Sequence, residues 1–425
     1  MSHHESFMAT RPRRDIQDVG TLRAQSRLRV MEVFLRHGEM ARTDICTLAE
    51  LSQATVSEVT GELLNEGLLV EKPTVPPPGR LASRGRPRLL LDINGAAGLV
   101  VGVKMATHQA TISVTDFKGG PISSCNVPLV AESETLEGAA DMVANGITRL
   151  LTDAGRGMDE VIGVGVGMPG FVQSLTGRTT WSPIFGERGS AFPATLARRL
   201  NKPVAAENDV NLVALAERWF GHGGDVENFM LVTVEHGIGM GLYINGALYR
   251  GQQGIATEFG HMIHEQNGRT CRCGRHGCVE AYSADYAIVA LAAEADHRAP
   301  PHGSVAVHEA ILDITKQAHS GNLAYARIFA NAGDILGRAA ANVACVLTPE
   351  RIIVTGEGMR AGELMMGPFV KAFRENALNF FRDTTSIVWH EWGDEVWARG
   401  AAVLILLERF AGHRLAAAEE LSASI

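Results

Sequence analysis

The stretch Glu258-Phe259-Gly260-His261, followed by Cys271-Arg272-Cys273-Gly274-Arg275-His276-Gly277-Cys278-Val279-Glu280, decides how the rest of the chain is read. Three of the six cysteines fall within eight residues here, while Cys46, Cys125 and Cys345 stand alone as expected buried small hydrophobes. One imidazole and three thiolates fill the tetrahedral shell of a zinc ion. Gly274 and Gly277 permit the tight turns that let closely spaced sulfurs converge. The predicted ligands are His261, Cys271, Cys273 and Cys278, with His264 and His276 as alternative imidazoles. Four protein donors leave no position for water, so the zinc is expected to be structural. The competing reading, three free cysteines in a surface loop, is disfavoured by the spacing.

On either side of this cluster, apolar runs alternate with helical periodicity. Leu99–Val103 with Thr111–Val114, and Met230–Val234 with Gly241–Ile244, read as hairpin-like pairs. Val161–Val166 reads as an apolar strand running into Gly167-Met168-Pro169-Gly170, and Arg351–Thr355 as a strand before Gly356-Glu357-Gly358. The unit near 99–117 recurs near 229–250, which predicts a duplicated α/β body with two lobes and a cleft between them. The Ala- and Leu-rich stretch 397–412 predicts a helix that packs back onto this body.

The first ninety residues follow another pattern. Leu28, Met31, Phe34 and Leu35 have helical spacing, which predicts a helix over about 21–37 ended by Gly38. Thr43 is the expected N-cap of a short second helix to Ala49. Ser52 is the expected cap of a third to about Glu66, with Val56, Val59, Leu63 and Leu64 buried and Gly67 as its stop. Gln53, Ala54, Thr55 and Ser57 then lie at the exposed start of the third helix, where a recognition helix presents small polar groups to base edges. Leu68–Val70 and Leu89–Leu91 can pair as a wing whose tip carries Arg84-Gly85-Arg86-Pro87-Arg88, suited to a narrow minor groove. The expected DNA-facing set is Arg42, Ser52, Gln53, Ala54, Thr55, Ser57, Arg84 and Arg86. A three-helix interaction module with a basic linker is the competing reading.

Composition bounds these expectations. Hydrophobic residues make up 46% and charged residues 20%, the balance of a globular chain with ample core. No apolar run reaches the roughly 18 residues a membrane span needs, and the polar Met1–Arg14 lacks the apolar stretch of an export signal. A cytoplasmic location follows, in which clustered cysteines favour metal over disulfides. Residues 1–91 carry 13 Lys/Arg against 11 Asp/Glu, a net +2, so the remainder holds −10 of the chain's −8. A mildly basic head on an acidic body fits a nucleic-acid module joined to a larger domain. The expected divisions are a flexible arm over 1–20, a winged helix-turn-helix over 21–92 and a two-lobed body over 96–425.

Taken together, the helix-turn-helix and the Glu-x-Gly-His plus cysteine signature resemble the ROK family of repressors and sugar kinases over nearly the whole chain. The resemblance implies an actin/hexokinase-like (ribonuclease H-like) body that holds a sugar beside the zinc. It places the sugar against Asn208, Asp209, Glu258, His261 and Glu280, with the Gly167–Gly170 turn as a wall. His261 would use one ring nitrogen for zinc and the other for a sugar hydroxyl. Asp209 matches the general base of the family kinases. Three stretches depart from those kinases. The first phosphate loop, Asp-x-Gly-Gly-Thr in the kinases, reads Lys104-Met105-Ala106-Thr107-His108. The second, Gly-Thr-Gly, reads Glu235-His236-Gly237, and Gly356-Glu357-Gly358 carries a further carboxylate.

The resulting expectation is a regulator rather than an enzyme, with no catalytic residue and Asp209 as a vestigial base. Its expected partners are operator DNA and a sugar or sugar phosphate, in a homodimer or homotetramer that represses carbohydrate-utilisation genes. The rivals are an active sugar kinase and a regulator controlled by a protein partner. Replacement Arg86→Ala is expected to weaken operator binding and to reduce the log–log salt slope by about 1; an unaltered slope would place the wing arginine off the DNA.

Overall fold

The computed structural model of the chain describes residues 19–73, 89–129, 135–173, 178–185, 191–251, 256–391 and 395–410. Arg84, Arg86 and the rest of the expected wing tip lie outside the described residues, as does the expected N-terminal arm up to residue 18. The described residues divide into two compact units, one built on those up to Ile93 together with 407–410, the other on Asn94–Leu406.

The N-terminal unit has helices α1 (Val19–His37), α2 (Arg42–Leu48) and α3 (Gln53–Asn65), with strands β1 (Met40–Ala41), β2 (Leu69–Pro73) and β3 (Leu89–Ile93). It is a winged helix-turn-helix. Gly38 and Gly67 take positive φ of 74° and 72° just beyond α1 and α3, which a residue with Cβ resists. Ser52 caps α3 by accepting the Thr55 amide at 3.1 Å. Val30, Met31, Phe34, Ile45, Val56 and Leu63 close the core. Arg27 of α1 donates two bonds to the Glu66 carboxylate, at 2.7 and 2.8 Å, and holds the Glu66 pKa below its ordinary value.

Two local expectations need correcting. Thr43 lies inside α2; the cap position is Ala41, with no side-chain bond. The reason is β1, which the sequence reading missed. Met40 and Ala41 pair with Leu91 and Leu90, so β-pairing fixes the chain immediately before Arg42 and the helix starts there. Leu64 is half-buried, and Thr60 takes the buried position instead.

The larger unit contains two five-stranded sheets of the same design. The first orders β6 (Pro121–Pro128), β5 (Gln109–Asp116), β4 (Leu99–Met105), β7 (Val161–Met168) and β10 (Val204–Asn208). The second orders β13 (Ala247–Leu248), β12 (Ile238–Ile244), β11 (Phe229–Val234), β14 (Arg351–Thr355) and β15 (Ser386–Trp389). In each, the outer two pairings on one side are antiparallel and the two on the other side parallel. The duplication legible near 99–117 and 229–250 is therefore the hairpin that opens each sheet. Strands β8 (Phe171–Gln173) and β9 (Arg178–Trp181) make a small antiparallel pair.

Helices α4 (Leu136–Asp153) and α5 (Phe192–Leu200) accompany the first sheet, and α6 (Asp209–Phe220) packs against both, with Gly239 and Gly241 of β12 close to its Val210 and Ala214. Helices α7 (Glu280–Ser283), α8 (Asp285–Ala295), α9 (Ser304–His319), α10 (Leu323–Leu347), α11 (Glu363–Asn376) and α12 (Asn379–Thr384) accompany the second. Each sheet has its own core. Val103, Ile112, Val164 and Val166 belong to the first, and Val232, Leu336, Val354 and Phe369 to the second.

The C-terminal helix α13 (Glu395–Phe410) packs on the first sheet through backbone. A Cβ on Gly102 of β4 would stand 1.7 Å from the Ala398 carbonyl oxygen, and one on Gly165 of β7 1.8 Å from that of Ala401. Only glycine permits that approach. Gly165→Ala is expected to destabilise the body by roughly 1–3 kcal/mol or more through overpacking, read as a lower unfolding midpoint. An unchanged midpoint would mean that α13 yields without cost.

Candidate functional site

A cavity of about 660 Å³ lies in the larger unit, where β4, β10, β11 and β14 end. The carboxyl ends of parallel strands are where side chains project outside a sheet without being paired across it. Asn208 and Asp209 stand at the step from β10 into α6. Asn208 Oδ1 caps that helix, accepting the amides of Val210 (3.0 Å) and Asn211 (3.2 Å), and its Nδ2 donates to Gly170 O at 3.1 Å. Most of the carboxamide is thus committed to backbone. Beneath it lies buried Glu207, which accepts from Arg250 at 2.7 Å and from Asn211 at 3.0 Å. Removal from bulk water raises the Asp209 pKa, against the pull of Lys104 and the Val210 amide.

Gly170 lines the cavity with φ 106°, and a Cβ there would lie 2.2 Å from Trp181 O. Gly167 is a correction to the expected wall: it does not line the cavity. It lies within β7, paired with Lys104 and Glu207, and a Cβ would come within 2.8 Å of Leu212. Its hydrogen too is turned into packing.

Glu258 is presented by a strained residue. Thr257 has φ 65°, unusual for a β-branched side chain, and its hydroxyl donates to Met240 O. The surrounding protein, with Glu280 and Asp209, pushes the Glu258 pKa up to about 7. Glu280 is buried at the start of α7; its Oε2 accepts the Ile238 amide at 3.2 Å and its Oε1 the Tyr286 hydroxyl at 3.3 Å.

His261 joins this carboxylate pair to the cysteines. Its Nε2 is 3.9 Å from Glu258 Oε2, and its Nδ1 is 3.7 Å from Cys271 Sγ. Cys273 and Cys278 are 3.7 Å apart at sulfur, and all four donor atoms lie within 4.8 Å of one another. Zinc–sulfur bonds of about 2.3 Å at tetrahedral angles place sulfurs about 3.8 Å apart, so the donor set fits a tetrahedral metal. Gly274 and Gly277 have φ 86° and 80°, and a Cβ on Gly277 would overlap Glu265 O at 1.6 Å. The alternative imidazoles belong elsewhere: His264 packs edge-on against Tyr282, and His276 lies 3.3 Å from Thr270 Oγ1.

At the other end of the cavity, buried Lys104 places Nζ 3.2 Å from Glu235 Oε1 and 4.0 Å above the Trp397 ring. Burial raises the Glu235 pKa; Lys104 opposes this, and Glu357 and Asp209 reinforce it. Arg272 stacks on Tyr286 at 3.5 Å and meets His236 Nε2 at 2.6 Å. Trp397 was not legible as a site residue, because the cation it meets, Lys104, is distant in sequence; Tyr286 meets Arg272 only through the fold of the cysteine loop.

In the N-terminal unit, Ser52, Gln53, Ala54 and Ser57 are exposed at the start of α3, and Thr55 is half-buried. Arg42 is half-buried, with Nε donating to Thr60 Oγ1 at 2.9 Å.

The ROK family model matches residues 100–408. The chain belongs to the ROK family. It is 27% identical to NagC, the DNA-binding transcriptional dual regulator of Escherichia coli strain K12, across 87% of this chain and 89% of that one. A ROK family transcriptional regulator described as a homologue of the Escherichia coli MLC protein superposes with TM-score 0.74 at 23% identity, over 95% of this chain and 98% of that one. A ROK family glucokinase from Streptomyces griseus, solved with glucose and AMPPNP, superposes with TM-score 0.63 at 27% identity, over 72% and 99% of the two chains. Among the described residues, no helix is long and apolar enough to cross a membrane.

Cys273→Ser removes one of four donors. The expected outcome is loss of bound metal by native mass spectrometry with a lowered melting temperature, and full metal content would take Cys273 out of the ligand set.

Proposed function

We propose that this chain is a DNA-binding regulator, a repressor of carbohydrate-utilisation genes, whose cleft binds a sugar or sugar phosphate and does not phosphorylate it. The observation that carries this reading is the Lys104–Glu235 ion pair. Both residues depart from what the family kinases carry in the loops that the resemblance assigns to phosphate, and here they pair with each other. A carboxylate in that place repels phosphate, and its lysine partner is already engaged.

In this reading Asp209, Glu258 and Glu280 accept hydrogen bonds from vicinal hydroxyls. Asn208 serves chiefly to hold Asp209 and Gly170 in place, with one amide hydrogen to spare. A zinc ion held by His261, Cys271, Cys273 and Cys278 is structural. It fixes the imidazole so that Nε2 faces Glu258 and the sugar site. Exposed Ser52, Gln53, Ala54 and Ser57, with Thr55, Arg42 and the wing arginines Arg84 and Arg86, contact operator DNA in a homodimer or homotetramer. Sugar bound in the cleft lowers DNA affinity, and by linkage DNA lowers sugar affinity by the same factor.

Kinase activity is the second reading, favoured by Asp209 on the cleft floor and by the likeness to the Streptomyces griseus glucokinase. A thermal-shift screen of monosaccharides and their phosphates, followed by calorimetry, tests the first reading. Binding at a hundred times Kd should add about 2.7 kcal/mol of apparent stability. Glu258→Ala should abolish that shift while sparing operator binding, and a normal response would move the pocket elsewhere. A coupled ATP assay with the sugars that bind should show no turnover; robust turnover would establish the kinase reading instead.

A further inference from the structure

Three side chains that the sugar site leaves unused meet in the same cavity, at its Lys104–Glu235 end. His108 lies in the turn between β4 and β5, His308 on α9, and Glu357 on the short turn that follows β14. One donor atom from each lies within 4.8 Å of the other two. The imidazoles are stacked, with centroids 4.3 Å apart and planes 20° from parallel, and His308 Nδ1 is 3.5 Å from Glu357 Oε2. All three are half-buried.

Their positions are set by bonds that use other groups. Ser304, one turn before His308, donates its hydroxyl to Thr107 O at 3.1 Å, tying α9 to the β4–β5 turn. The carbonyl of His108 accepts the Leu129 amide at 3.1 Å. Gly356, with φ 104°, lets the chain turn against Val234, so that Glu357 faces the cavity. Arg360 Nη1 stands 3.9 Å from Glu357 Oε2 while pairing with Asp285.

We propose that His108, His308 and Glu357 form a second metal site, for a divalent transition ion, separate from the cysteine cluster. Two imidazoles and one carboxylate are a borderline donor set, suited to zinc, cobalt, nickel or iron(II) rather than to calcium or magnesium, which prefer oxygen ligands throughout. Three protein donors leave coordination positions open towards the cavity, where water or an oxygen of a bound ligand would complete the shell. His108 belongs to the first lobe and the other two to the second, so the ion would also staple the cleft. The proposal stands whether or not the chain proves to be a sugar-responsive regulator.

The test uses the full chain with its cysteine cluster loaded with zinc. Cobalt(II) is added in equilibrium dialysis, with metal counted by mass spectrometry. The expected result is one further equivalent that gives d–d absorption without thiolate charge transfer and raises the melting temperature. His308→Ala and Glu357→Gln should each weaken this uptake by at least about tenfold, as losing even an outer partner of a ligand does. Both should retain the cysteine-bound zinc and the melting temperature of the cobalt-free protein, which separates a lost ligand from a lost fold. The site is refuted if no further equivalent binds, if the added cobalt shows thiolate charge transfer, or if both variants bind as tightly as the parent.

Discussion

Two sheets of the same strand order turn the carboxyl ends of their parallel strands towards one cavity, and the candidate chemistry of the body depends on that constraint. Lys104 is the last residue but one of β4, Asn208 ends β10, Glu235 follows β11 and Glu357 follows β14. A parallel strand buried on both faces has no solvent-facing positions along its length, so polar groups are tolerated only where it stops. Glycine enforces the constraint from behind. Gly102 and Gly165 bring α13 within backbone contact of the two central strands, and Gly400 is in turn 2.1 Å, at its would-be Cβ, from Leu212 O on α6.

Inside the cavity the charges are arranged in two groups. Glu258 and Glu280 gather near the cysteine cluster, with Asp209 between them and Lys104; desolvation raises the pKa of Asp209 and of Glu258, and Glu280 and Asp209 push that of Glu258 further up. Lys104 and Glu235 pair at the other end, close to Glu357 and to the Arg360–Asp285 pair. Burying an ion pair costs about as much as its attraction returns, so such pairs are weak evidence for stability. Their value here is positional: a lysine held by both a carboxylate and the Trp397 ring has little freedom to meet a phosphate.

The small N-terminal unit was read almost completely from local signals, because caps, stop glycines and helical stripes act within a few residues. Ser52, Gly38 and Gly67 behave as their types dictate. Thr43 shows where such reading fails. Its capping chemistry is sound in isolation, but the two-residue strand Met40–Ala41 pairs with Leu90 and Leu91, some fifty residues away, and that pairing sets the start of α2. The Gly167 turn fails for a similar reason, since strand pairing on both sides draws it into the sheet.

The sequence by itself determined the family, the fold class, the duplicated hairpins, and a histidine–cysteine cluster whose spacing leaves few other uses. These rest on periodicity and on close spacing, which the chain carries wherever it lies. Tertiary structure turned His261, the imidazole that the sequence favoured over His264 and His276, towards Cys271. It also decided that the Asn208 carboxamide is spent chiefly on backbone. It further decided that Lys104 pairs with Glu235, and that His108, His308 and Glu357 converge. Those are meetings between residues up to some 250 positions apart, made by the closing of two sheets on one cavity, and no local rule of sequence can express them.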